Sequence, residues 1–157
     1  MKILFGSWPI PMFGYMPRHN FLALVDGQGN PVRELNGGAK NPDGTFNYLA
    51  FRGPLTAVET DYSRRDTAFF PEFYRRPAST VSILMEGSEA DVLQCWANGT
   101  AAAAAIEKLG LRYFVLGTNS NTVATALVRK MGLQPPVQAF YRVQSPGGRR
   151  RFPMDFA

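Results

Sequence analysis

The sequence predicts an α+β domain, a small antiparallel sheet packed against two main helices, and three stretches carry that expectation. "HNFLALVDGQGNPVREL" alternates apolar residues on either side of a glycine-rich turn and reads as a β-hairpin. "SEADVLQCWANGTAAAAAIEKLG", residues 88 to 110, reads as a long helix, with Ser88 and Asp91 in a capping pattern and Gly110 as its stop. "TNSNTVATALVRKMGL", residues 118 to 133, reads as a polar turn feeding an amphipathic helix that ends at Gly132.

Taken in order, the first segment "MKILFGSWPIPMFGYMP" breaks its apolar run with Gly6, Pro9 and Pro11. It therefore does not read as a signal peptide, and no stretch approaches the ~20 apolar residues of a membrane span. The expectation is a cytoplasmic protein, or one exported without a cleavable signal peptide. In the hairpin, period-2 geometry puts His19, Phe21, Ala23 and Val25 on one face and Asn20, Leu22 and Leu24 on the other. "GGAKNPDGTF" reads as a loop, "NYLAFRG" and "TAVETDYS" as strands, and the proline-containing "RRDTAFFPEFYRRPAS" as irregular. "STVSILME" alternates Val81, Ile83 and Met85 and reads as a strand. Along the long helix, Val92, Cys95, Trp96, Gly99, Ala103 and Ile106 form one apolar stripe. "LRYFVLG" reads as a strand, the second helix buries Val123, Ala124, Leu127, Val128 and Met131, and "QAFYRV" reads as a last strand before a basic tail from about residue 145. No repeat or linker divides residues 1–157, so one domain is expected.

Composition bounds the chemistry. The net charge of +5 rests on 13 arginines and 4 lysines. They are scattered as Arg64–Arg65, Arg75–Arg76 and Arg149–Arg151, which suits a solvated surface; a dedicated nucleic-acid face is not the expectation. One cysteine, Cys95, excludes an intrachain disulfide, and its place on the helix stripe reads as packing. One histidine, His19, excludes a His-rich metal site, and no metal or cofactor is expected. "GQGN" precedes a strand rather than a helix, so it is a turn and not a phosphate loop. Tyr15, Tyr62, Phe73 and Tyr74 have the ring faces to stack on bases or sugars, and equally suit packing.

The start of the second helix allows two readings. Thr118, Asn119, Ser120, Asn121 and Thr122 can simply cap exposed N–H groups. The same N–H groups and the helix dipole can also stabilise an anionic nucleophile and an oxyanion beside it. A serine there needs a base, and His19 is the one imidazole available.

The segments "HNFLALVDGQGN", "LNGGA" and "NSNTVATALVRKMGL" resemble an uncharacterised bacterial family of isolated chains and toxin-like modules. Its pattern is a histidine leading a strand, a glycine pair, and a late N-S-N-[ST] segment; the likeness spans roughly residues 18 to 136. That family in turn resembles circularly permuted NlpC-type, papain-like hydrolases, including the lecithin:retinol acyltransferase type, in which the histidine strand precedes the nucleophile helix. "SNTVA" matches their helix start with Ser120 in place of cysteine, a departure that leaves a weaker nucleophile. The resemblance implies acyl chemistry with Ser120 as nucleophile, His19 as base and then acid, and Asn36 or Glu34 orienting the ring. Asn119 or Asn121 would help position substrate, with Thr118 and Thr122 beside them. It implies a cell-wall peptide, glycan-peptide, isopeptide or lipid-ester substrate, a bacterial effector role, and a cognate immunity-type partner. The alternative is an inactive papain-like scaffold that binds an anionic ligand or partner.

Overall fold

The structure is a computed structural model that describes residues 1–10, 17–47, 49–64, 72–140, 148 and 152, leaving aside the side chains of residues 138 and 140. Its centre is an antiparallel sheet built from β1 (Lys2–Pro9), β2 (Arg18–Val25), β3 (Pro31–Lys40), β4 (Phe46–Asn47), β5 (Arg52–Asp61), β6 (Thr80–Glu86) and β7 (Arg112–Phe114). The order across the sheet is β6-β1-β2-β3-β5-β7, and β4 pairs with β3. Two helices, α1 (Glu89–Lys108) and α2 (Ser120–Lys130), cover one face. The α+β class stands as read. Among the described residues, no helix is long and apolar enough to cross a membrane.

The strand the sequence concealed is β1. It lies between β2 and β6, with Ile3, Leu4 and Phe5 buried on both faces. Alternation is therefore missing, and Gly6 mimics a break. Gly6 is instead required, because a Cβ there would stand 2.1 Å from the Phe21 ring that lies across it. The same effect carries β3 through "GGAK", which had read as loop, to Lys40. A Cβ on Gly37 would stand 2.4 Å from Val123, so the glycine lets α2 approach the sheet.

Elsewhere pairing is shorter than the apolar runs suggested. "NYLAFRG" contributes only the end of β4 and the start of β5. "LRYFVLG" stops pairing after Phe114, where a turn closed by Gly117 N–H to Phe114 O (2.8 Å) takes over. Val137–Phe140 form a 3-10 turn rather than the start of the strand expected in "QAFYRV", whose remaining residues lie outside those described. The tail arginines Arg149–Arg151 also lie outside them.

The helix expectations hold in detail. Ser88 Oγ accepts the Asp91 N–H at 3.2 Å, and the whole stripe from Val92 to Ile106 is buried. Cys95 packs there, with its thiol donating to Met131 O at 3.5 Å. The helices meet Ile3, Phe5, Leu22, Leu24 and Leu35, which form the larger core. A smaller cluster of Leu4, Phe21, Ala23, Val25 and Phe73 occupies the opposite face.

Overpacking at the helix–sheet contact should be specific. Gly37→Ala is expected to destabilise the protein by about 2 kcal/mol in urea unfolding, and adding Val123→Ala should recover part of that loss relative to Val123→Ala alone.

Candidate functional site

His19 stands near the start of β2 and is 1% exposed. Its side chain shares a face with Phe21 and packs under Phe73, the two rings stacked at 4.0 Å between centroids. Nε2 lies 2.8 Å from Asn36 Oδ1. Asn36 Nδ2 donates to Glu34 Oε1 at 2.7 Å, which leaves Oδ1 as the acceptor and assigns the proton to His19 Nε2. Both side chains lie on the same face of β3, as period-2 spacing requires. Asn36 thus touches the imidazole directly, and Glu34 acts on it only through Asn36.

Glu34 is the hub of this face. Besides Asn36, its carboxylate accepts the Tyr62 hydroxyl at 2.6 Å, the Phe73 N–H at 3.2 Å and the Tyr74 N–H at 3.0 Å. Two of these donors open the 3-10 turn Phe73–Arg75, so the carboxylate pins that turn over His19. Glu72 and Ala78 bracket the turn with left-handed φ values of 41° and 66°, a conformation that non-glycine residues adopt at an energetic cost. Burial pushes the Glu34 carboxyl upward, while all four donors favour its ionised form. Burial and the neighbouring negative charge push the Tyr62 hydroxyl upward, so it remains a donor.

Around this buried relay the surface is cationic and aromatic. The Arg76 guanidinium lies 4.7 Å over the Trp8 ring and 5.3 Å from Phe73, and Trp8 meets Phe73 at 5.4 Å. Arg75 lies 4.7 Å over Tyr62 and pairs with Glu72 at 3.3 Å. Tyr74 donates to Gly29 O at 3.1 Å. Tyr62, Phe73 and Tyr74 therefore pack and bond within the fold, whereas Tyr15 falls outside the described residues.

Ser120 opens α2 on the other side of the sheet and is 4% exposed. Val123 of the same helix meets Gly37, whose neighbour Asn36 points the opposite way toward His19. The expected Ser120–His19 hydrogen bond is not formed: alternation along β2 turns the His19 side chain toward Asn36 and Phe73, while α2 packs on the face of Leu22 and Leu24. Among the described residues no hydrogen bond joins the two.

The polar turn before α2 serves the fold. Asn119 is the N-cap, and its Oδ1 accepts the N–H groups of Asn121 at 3.0 Å and Thr122 at 3.2 Å. Thr122 Oγ1 accepts the Asn119 N–H in return and donates to Gly117 O at 3.1 Å, completing a capping box. Asn121 Oδ1 accepts the Asn20 N–H at 2.9 Å and ties the helix start to β2. Thr118 contributes its carbonyl to the Phe114 N–H at 2.8 Å. The side chains of Asn119, Asn121 and Thr122, expected beside substrate, thus hold the helix start in place.

Sequence reasoning missed Trp8 and Arg76 as neighbours of His19. The available signal was the dense aromatic and basic run "EFYRR", which looked irregular because a single turn pinned by a distant carboxylate has no periodicity. Among the described residues, no group of three or more His, Cys, Asp or Glu converges as a metal site. No family model, curated protein or solved structure matches the chain.

Two measurements test this geometry. Burial, with a contribution from the Arg76 charge, pushes the His19 imidazole down to about 4, against the Asn36 hydrogen bond that raises it. The unfolded chain binds the proton near pH 6.5, so the stability due to neutral His19 is complete above that value and lost as pH falls toward 4. The expected loss is about 3 kcal/mol. Glu34 acts in the opposite sense, because a raised carboxyl binds protons more tightly in the fold. The quantity to measure is therefore the difference between wild type and His19→Gln in denaturant midpoints from pH 7 to 4. In a separate melt, Asn119→Ala should cost about 1 kcal/mol through loss of the cap.

Proposed function

We propose that this chain is a binding domain for an anionic ligand or partner rather than an acyl hydrolase. The observation that carries the reading is that the His19 ring is engaged by Asn36 and Phe73 and makes no hydrogen bond to Ser120 among the described residues, which leaves the serine without its base. Near His19 instead, the Arg76 guanidinium lies over the Trp8 ring, and Arg75 lies over Tyr62. Stacking orients a guanidinium so that its N–H donors point outward from its edge, the geometry that carboxylate or phosphate oxygens accept. Arg76, between Trp8 and Phe73, is the central cation, and the Glu34 carboxylate fixes it indirectly by holding the 3-10 turn. We further propose that the chain is a permuted papain-like scaffold whose helix start has lost its acyl chemistry.

The hydrolase reading retains one support. Donation from Nε2 to Asn36 leaves His19 Nδ1 as an acceptor, the tautomer a general base requires. An effector acting on cell-wall peptide, isopeptide or lipid ester would then need a nucleophile on the Phe73 face, and Ser120 is on the other.

One pair of experiments separates the two. A fluorophosphonate probe should leave Ser120 unlabelled, and inorganic pyrophosphate should bind with an affinity that Arg76→Ala lowers by about tenfold. Labelling of Ser120 that disappears in His19→Ala would overturn the binding reading in favour of catalysis. Pyrophosphate affinity unchanged in Arg76→Ala would remove the arginine face from it.

A further inference from the structure

On the far side of the sheet from β6, four large apolar side chains are partly exposed on two adjoining segments. Leu49 is 42% exposed, Phe51 49%, Phe114 41% and Leu116 67%. Two separate stretches of chain bring them to one place. Arg52 pairs with Phe114 across the β5–β7 ladder, and the Val115 N–H donates to Phe51 O at 3.1 Å. Beyond Phe114 the chain turns tightly, with Phe114 N–H to Thr118 O and Gly117 N–H to Phe114 O both at 2.8 Å, and Leu116 stands at the tip.

The charged side chains on the outer face of the β5–β7 ladder are Arg52 and Arg112. Directly opposed residues of a ladder share a face, so Arg52 and Phe114 project together with Arg112, which opposes Pro54. Arg52 lies 5.6 Å over the Phe114 ring. The sequence has no acidic residue from 46 to 58 or from 108 to 130, the two stretches that build the tip. The polar turn behind it is braced against the fold, since Asn119 Nδ2 donates to Val115 O.

We propose that Leu49, Phe51, Phe114 and Leu116, with Arg52 and Arg112, form a docking tip for the surface of an anionic phospholipid bilayer. Exposed apolar groups with Arg52 and Arg112 on the face of Phe114 match lipid that is apolar below and anionic above, because burial is reinforced by attraction to the surface potential. The tip lies apart from the Arg75–Arg76 face and does not depend on the proposed function.

Vesicle flotation with the full chain tests this. Phosphatidylcholine vesicles containing phosphatidylglycerol should carry the protein to the top of the gradient, with about tenfold less on phosphatidylcholine alone. Phe51→Ser with Leu116→Ser should reduce binding to the anionic vesicles by about tenfold, and Arg52→Glu with Arg112→Glu should reduce it similarly. Lys2→Ala, on β1 beside the opposite edge of the sheet, should leave it unchanged. Far-UV circular dichroism verifies folding, and Leu116→Ser alone, at the most exposed position of the tip, serves if the double variant unfolds. No binding of the wild type to anionic vesicles overturns the proposal. So does binding that survives loss of the apolar side chains, which would be attraction of a basic protein to charge alone, or binding abolished by Lys2→Ala.

Discussion

Alternation along β2 governs how this molecule is put together. Successive side chains leave a strand on opposite faces, so His19 and Asn20, one peptide bond apart, serve different halves of the protein. Leu22 and Leu24 face the helices and build the larger core, while Phe21, Ala23 and His19 face Phe73. β3 repeats the division: Leu35 and Gly37 meet the helix side, and Glu34 and Asn36 meet the relay. A one-residue slip of register would exchange the two sets and bury the wrong groups throughout. Every contact of His19 follows from its odd place in this count.

On the relay face, a single carboxylate substitutes for a helix. Glu34 has no cation within ion-pair distance among the described residues, and its charge is met by four donors from β3, the residue after β5 and the 3-10 turn. Buried polar groups are tolerated when every lone pair is used, and a satisfied network fixes geometry more tightly than apolar contact does. That explains how a turn of three residues between two left-handed positions keeps one conformation. It also explains why the histidine is neutral: its surroundings supply an acceptor for one N–H and a ring for its face, but no counter-charge for a second proton.

How much of this could be read in advance depended on the range of the signal. The hairpin and both helices announce themselves locally. Asp26 binds the turn N–H groups of Gln28 and Asn30, Ser88 caps α1, and Asn119 and Thr122 close a box at α2. The membership of Asn36 and Glu34 on one face followed from spacing alone. What spacing could not give was which face the helix would choose, because Leu22 and Leu24 are no more apolar than Phe21 and Val25. β1 and the glycine half of β3 were hidden for the same reason. Gly6 and Gly37 look like interruptions until the ring of Phe21 and the side chain of Val123 are placed against them.

The position of β1 also sets the order in which the sheet can be assembled. Its pairing with β2 joins neighbours in the chain, whereas its pairing with β6 joins Lys2 to Glu86 across most of the intervening sequence. A three-strand meander is thus accessible from local contacts, but closure of the second edge of β1 must wait for a long loop to lose its entropy. Until then Ile3, Leu4 and Phe5 present an apolar edge with its hydrogen bonds unmade. The slowest and most aggregation-exposed moment in the life of this protein is therefore the arrival of β6, and α1, which follows it after two residues, arrives in time to cover what that strand completes.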